Sequence, residues 1–146
     1  MDLNSYPIVT YYLEQAEAYL EKEFYLEALL IVVTLSELLV REIADDTETH
    51  LRRLLDRLRS SHNISEEQFE LLDEIRRIRN LYVHLDLQRF AYSHGIADDS
   101  GNITLVNEAL QLSKYPAEEL LDLYKSMVRS DSLRAFDLVK RAITAF

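Results

Sequence analysis

The sequence contains no cysteine, which removes disulfides and thiolate chemistry together. It has only two glycines and two prolines in 146 residues. A β-sandwich or a doubly wound α/β fold of this length needs more turn-formers, so both are excluded. No apolar run reaches the roughly eighteen residues of a membrane span, and no membrane partner is expected. The opening Met1-Asp2-Leu3-Asn4 puts no basic patch ahead of an apolar stretch. This predicts no secretory signal and a cytoplasmic location. Phosphate-cradling glycine loops, dinucleotide fingerprints and nucleophile elbows are missing, and no cofactor is expected. The net charge of −10 argues against attachment to nucleic acid through a broad basic surface.

What is present is helical. Apolar residues make up 48% of the chain, enough for one core, and 1–146 reads as a single domain. A first helix is predicted from Ile8 to Glu23 after Pro7, with Leu13, Ala16 and Leu20 at helical spacing. A second runs from Leu26 to Asp45. Its centre, Ala28 to Val33, is apolar on every side and is expected to be the most buried stretch. A third spans Glu48 to Ser60 on a stripe of Leu51, Leu54, Leu55 and Leu58, between His50 and His62, which read as surface residues. Ser65-Glu66-Glu67-Gln68 is a capping box that opens a fourth helix reaching about Leu87. Ser93 to Asn102 is rich in turn-formers, and Ile103 to Val106 reads as a short strand of a hairpin with part of 90–96, or as loop. The last helix starts near Pro116, with an acidic first turn, and reaches close to Phe146, with a bend expected at Ser130–Ser132. The architecture predicted is an all-α, up-and-down bundle of four to five helices with an irregular or hairpin insertion near 90–106.

Charge is unevenly spread. Residues 50–90 hold eight arginines against seven acids, whereas the rest holds eight Lys/Arg against nineteen acids. The arginines cluster as Arg52, Arg53, Arg57 and Arg59, then Arg76, Arg77 and Arg79. Two readings stand: a local anion site, or solvated faces paired at i,i+4. On the fourth helix, Leu71, Ile75, Ile78, Tyr82 and Leu85 form the core face at 100° per residue. Arg76, Asn80 and His84 climb one side together, with Arg79 beside them. Phe69, Leu72, Val83 and Leu87 make a second apolar seam, expected to pack on a second copy of the chain. No metal site is expected: His94 with Asp98 and Asp99 lacks both EF-hand spacing and a second histidine nearby. The tyrosines near the N-terminus suit base stacking or ordinary helix packing.

Arg79-Asn80-Leu81-Tyr82-Val83-His84 has the form R-N-x-x-x-H, which resembles the signature of HEPN domains. The frame around it, from Leu51 to Leu58, then Ile64-Ser65, then Leu71 to Asn80, is similar to an uncharacterised bacterial branch of that superfamily. The resemblance covers roughly residues 8–90. It implies a homodimer in which the motifs of two subunits form a composite, metal-independent endoribonuclease or RNA/nucleotide-binding site. Arg79, Asn80 and His84 would be catalytic and Arg76 supporting. The helix from Ala28 to Arg41 resembles the one that carries a polar residue near the site, which makes Glu37, then Thr34, further supporting candidates. The toxin branch of the family, with its neutralising protein partner, often has a tyrosine two residues after the histidine; here that position is Asp86. The superfamily also holds non-catalytic interaction and regulatory modules, and Tyr124 to Ser130 resembles the last helix of the mannitol operon repressor type.

Overall fold

The computed structural model describes residues 6–83, 96–97, 103–104 and 117–146. Five α-helices are described: α1 (Pro7–Glu21), α2 (Tyr25–Ala44), α3 (Leu51–Ser60), α4 (Glu66–Val83) and α5 (Ala117–Thr144). Two two-residue strands, β1 (Ile96–Ala97) and β2 (Ile103–Thr104), pair antiparallel, with Ile96 opposite Thr104 and Ala97 opposite Ile103. The all-α bundle read from the sequence is therefore the fold observed. The bend expected at Ser130–Ser132 is not seen as a break, and α5 runs unbroken through it. Among the described residues no helix is long and apolar enough to cross a membrane.

The bundle is organised around α2, which packs against all four other helices, while α5 also packs on α4 and α4 on α3. Leu29, Val32, Val33, Leu35, Leu39 and Val40 of α2 are buried in one apolar cluster with Leu54, Leu55, Leu72, Ile75 and Val139. The expectation that Ala28 to Val33 is buried throughout needs correction. Leu30 is 43% exposed and Ile31 only partly buried. A helix has only as many buried sides as it has neighbours, and the outer side of α2 has none among the described residues. Leu26, Leu30, Thr34 and Leu38, spaced four apart, emerge there, all exposed.

The start of α4 is fixed locally. The Gln68 side chain accepts from the Ser65 backbone N–H at 2.6 Å, and the Ser65 hydroxyl accepts from the Gln68 N–H at 3.1 Å. This is the reciprocal capping box of the sequence. Gln68 then donates to the Ala145 carbonyl at 2.9 Å, which ties the start of α4 to the end of the chain. The predicted core face holds for Leu71, Ile75, Ile78 and Tyr82, all buried; Leu85 lies outside the described residues. Further along, the buried Tyr82 hydroxyl donates to Asp131 of α5, and its ring meets Tyr124 edge-on at 6.5 Å. Burial, then Asp131, then Tyr124 push the Tyr82 phenol far above its ordinary range, so it stays a donor.

The third helix begins later than the pattern suggested. Asp46 accepts from the backbone N–H groups of Glu48 and Thr49 at 3.0 and 2.9 Å and from the Thr49 hydroxyl at 2.7 Å. These bonds hold 46–49 as a turn and delay α3 to Leu51.

With so few glycines, the helices end by other means. Three ends share one pattern of backbone bonds. Glu23 N–H reaches Leu20 O and Phe24 N–H reaches Tyr19 O; Asp45 and Asp46 bond Glu42 and Arg41; His62 and Asn63 bond Arg59 and Leu58. Each is a Schellman stop, which requires a left-handed residue after the cap. Glu23, Asp45 and His62 occupy those places at φ 63°, 50° and 59°. A Cβ there costs about 1–2 kcal/mol, partly offset because glycine has more unfolded-state entropy to lose. His62→Gly is therefore expected to raise the unfolding free energy by about 0.5–1 kcal/mol, read from urea denaturation with an unchanged slope. Tyr82→Phe is expected to lower it by about 2 kcal/mol, because a buried carboxylate loses a hydroxyl donor.

Candidate functional site

The motif helix presents two polar faces. Toward α2, the Arg79 Nε meets Glu37 Oε2 at 3.1 Å, and both side chains are about a quarter exposed, at 22% and 25%. The Arg79 Nη1 donates to Asn80 Oδ1 at 3.3 Å. The other oxygen of Glu37 is held by Arg41, at 3.0 Å from Nη2 and 3.1 Å from Nε. Arg41 is itself anchored through Nη1 to the Thr49 carbonyl at 2.9 Å. Glu37 is thus fixed between two guanidiniums, and it aims Arg79 along the outer margin of α2. An arginine half-sunk in a helix interface needs such an acceptor, because an unpaired charge there is costly. Thr34 takes no part: its hydroxyl donates to the Leu30 carbonyl at 2.7 Å.

Away from α2, the helix carries a second cluster that sequence reasoning missed. Asp73 is 4% exposed yet meets three guanidiniums. Arg52 Nη1 of α3 reaches both its oxygens at 3.0 Å, Arg76 Nε reaches Oδ1 at 2.7 Å, and Arg77 Nε reaches Oδ2 at 3.3 Å. Arg76, the supporting candidate, is thereby committed to Asp73. The spacing of Asp73 to Arg76 and Arg77 was visible in the sequence, but the reach of Arg52 from another helix was not.

The second apolar seam is a correction. Phe69 and Leu72 are buried within their own bundle, at 5% and 1% exposure, and are not available to a second copy. The reason is α3, which runs antiparallel along this side of α4, as the Arg52–Asp73 and Arg59–Glu66 pairs show. It lays the Arg59 guanidinium 3.8 Å and that of Arg52 5.5 Å from the Phe69 ring centroid. Cations over an aromatic face replace the partner that the seam was expected to need. The Val83 side chain, Leu87, Asp86 and the motif's His84 lie outside the described residues, as do His94, Asp98 and Asp99. Among the described residues no three His, Cys, Asp or Glu groups gather as a metal-holding cluster.

No protein-family model matches the chain, nor does any curated protein or solved structure.

Burial alone would raise the Asp73 carboxyl. The hydrogen bond and charge of Arg76, with the charges of Arg52 and Arg77, outweigh it and hold the group below the ordinary carboxylate value. A depressed folded-state pKa contributes stability above the unfolded value of about 3.9, and that stability is lost as pH falls through the folded value. Asp73→Asn is therefore expected to cost about 2 kcal/mol at neutral pH. In urea titrations the gap between variant and wild type should narrow progressively below about pH 4. A gap unchanged at acidic pH would show that the carboxylate charge is not what ties α3 to α4.

Proposed function

We propose that this chain is a HEPN-type protein that acts on RNA as a cytoplasmic homodimer, by metal-independent endonucleolytic cleavage at a composite site. The observation that carries this reading is the Glu37–Arg79 pair. It fixes a guanidinium beside Asn80 on the motif helix, at the margin of an exposed α2 face that has no neighbour among the described residues. Leu30 and Leu38 stand exposed on that face, and Tyr6, just ahead of α1, and Ile8 of α1 join Leu38 around an apolar cleft of about 160 Å³. A second copy that covers this face would bring two motifs toward each other.

The chemistry follows from the residue types. Attack by a ribose 2′-hydroxyl on the adjacent phosphodiester needs a base that works near neutral pH. Imidazole, with an unperturbed pKa of about 6.5, supplies it through His84. The same group of the second subunit protonates the departing 5′-oxygen. Arg79 offers a planar fork to the charge that builds on the phosphoryl oxygens, and Asn80 adds a neutral donor.

A second reading rests on the same ion pair. Arg79 already has acceptors in Glu37 and Asn80, which suits a helix tie in a non-catalytic regulatory module of the same fold. One assay separates the two. Purified protein is incubated with mixed RNA in excess EDTA, beside His84→Ala and Arg79→Ala. Cleavage by the wild type that falls about 10²–10⁴-fold in His84→Ala, with the circular dichroism melt unchanged, is the expected result. Absence of cleavage by the wild type over a wide range of RNAs transfers the assignment to the regulatory module.

A further inference from the structure

Three arginines converge on Asp73 where α3 lies against α4: Arg52 from α3, and Arg76 and Arg77 from α4. Arg53 follows Arg52 on α3. From Ile75 to Val83, α4 carries three arginines and no acid, and α3 carries four arginines and one aspartate. The carboxylates in reach are Asp73 and Asp56, and Asp56 is also shared with Arg59. One buried carboxylate needs one guanidinium to be compensated; Arg76, only 16% exposed, supplies it from within α4, and Arg52 ties the carboxylate to α3. Arg77 adds positive charge beyond that compensation. Arg77 is 71% exposed, and Arg53 is exposed with no carboxylate in ion-pair range among the described residues. A surplus of cations is thus concentrated on one face of a molecule whose net charge is −10.

We propose that this face is a track for the phosphodiester backbone of single-stranded RNA, leading along α4 to the motif. The proposal rests on the nucleic-acid reading of the motif helix. Asp73, Arg76, Arg77 and Asn80 follow one another at intervals that keep them on one strip of the helix, so the cations and the motif share an edge. The cations are also ordered in advance. Asp73 holds the forks of Arg52 and Arg77 from behind, and the Phe69 ring lies beneath Arg52. This leaves their outward N–H groups to meet phosphate oxygens with little further loss of side-chain freedom. A track of so few charges on an acidic protein binds weakly and in a strongly salt-dependent way.

The test uses the full chain with His84→Ala, so that bound RNA is not cut. Fluorescence anisotropy with a labelled mixed-sequence single-stranded RNA is followed over a salt titration. Arg53→Ala with Arg77→Ala is the variant, since Arg53 has no ion pair among the described residues and Asp73 keeps Arg52 and Arg76; a thermal melt checks its fold. Lys140→Ala with Arg141→Ala on α5, which removes the same two charges, is the charge-matched control. The expected result is that the double variant binds about tenfold more weakly, with a log–log salt slope shallower by about 1.4, while the control is unchanged. Equal affinity for single-stranded DNA of the same sequence supports the track, because guanidinium–phosphate contacts do not read the 2′-hydroxyl. A double variant that binds as its parent does overturns the track and leaves the motif reading to the cleavage assay. A parent that binds no RNA at low salt also overturns it. RNA bound through these arginines by a wild type that cleaves nothing keeps the track and removes the nuclease.

Discussion

A twenty-residue helix in contact with four others has to divide its circumference among them, and α2 does so unequally. Its buried residues fill somewhat under half of the wheel, and the exposed Leu26, Leu30, Thr34 and Leu38 lie as a strip on the side away from them. Glu37 and Arg41 stand on the edge of that strip, where water still reaches them but α4 is close. The position of Arg79 depends on this partition. Turned further inward, Glu37 would be a buried acid in need of full compensation; turned further outward, it would pair across solvent for little gain. At a quarter exposed, it orders two guanidiniums and leaves Arg79 at the surface.

The two clusters on α4 use opposite arithmetic. At Glu37, one carboxylate divides its oxygens between Arg41 and Arg79, so that each guanidinium is fixed through a different atom. At Asp73, one carboxylate gathers three, and the excess charge is turned outward. The first arrangement suits the precise orientation of a group beside Asn80. The second suits attraction without orientation, since an exposed guanidinium that is already hydrogen-bonded from behind offers charge over a wide angle. The buried aromatic between α3 and α4 serves the second, because Phe69 carries Arg52, which reaches Asp73.

How much of this was legible in the sequence depended on whether the cause was local. The start of α4 was, because Ser65 and Gln68 satisfy each other within one turn. The core face of α4 was, because Leu71, Ile75, Ile78 and Tyr82 alternate with charges at helical spacing. The centre of α2 was not: six apolar residues in a row carry no information on which side lacks a neighbour. Nor was the fate of Phe69 and Leu72, since a helix wheel shows an apolar seam but not that arginines from α3 will lie over it. Asp73 failed for the same reason, as its partner Arg52 is twenty-one residues away. Glu37 was reached through family resemblance rather than periodicity, and its contact with Arg79 is a tertiary one.

The three left-handed helix stops at Glu23, Asp45 and His62 lie in the short connections between helices, apart from Arg79, Asn80 and Asp73. Each is a place where a single change of codon to glycine relieves a steric penalty without touching a buried side chain or a charged cluster. Proteins persist close to a stability threshold, and substitutions that refashion a binding face are mostly destabilising. A bundle with relief available at three independent joints can absorb such substitutions on α3 and α4 in succession. Its scarcity of glycine is therefore a reserve of evolutionary latitude, held in the turns and open to use by the faces.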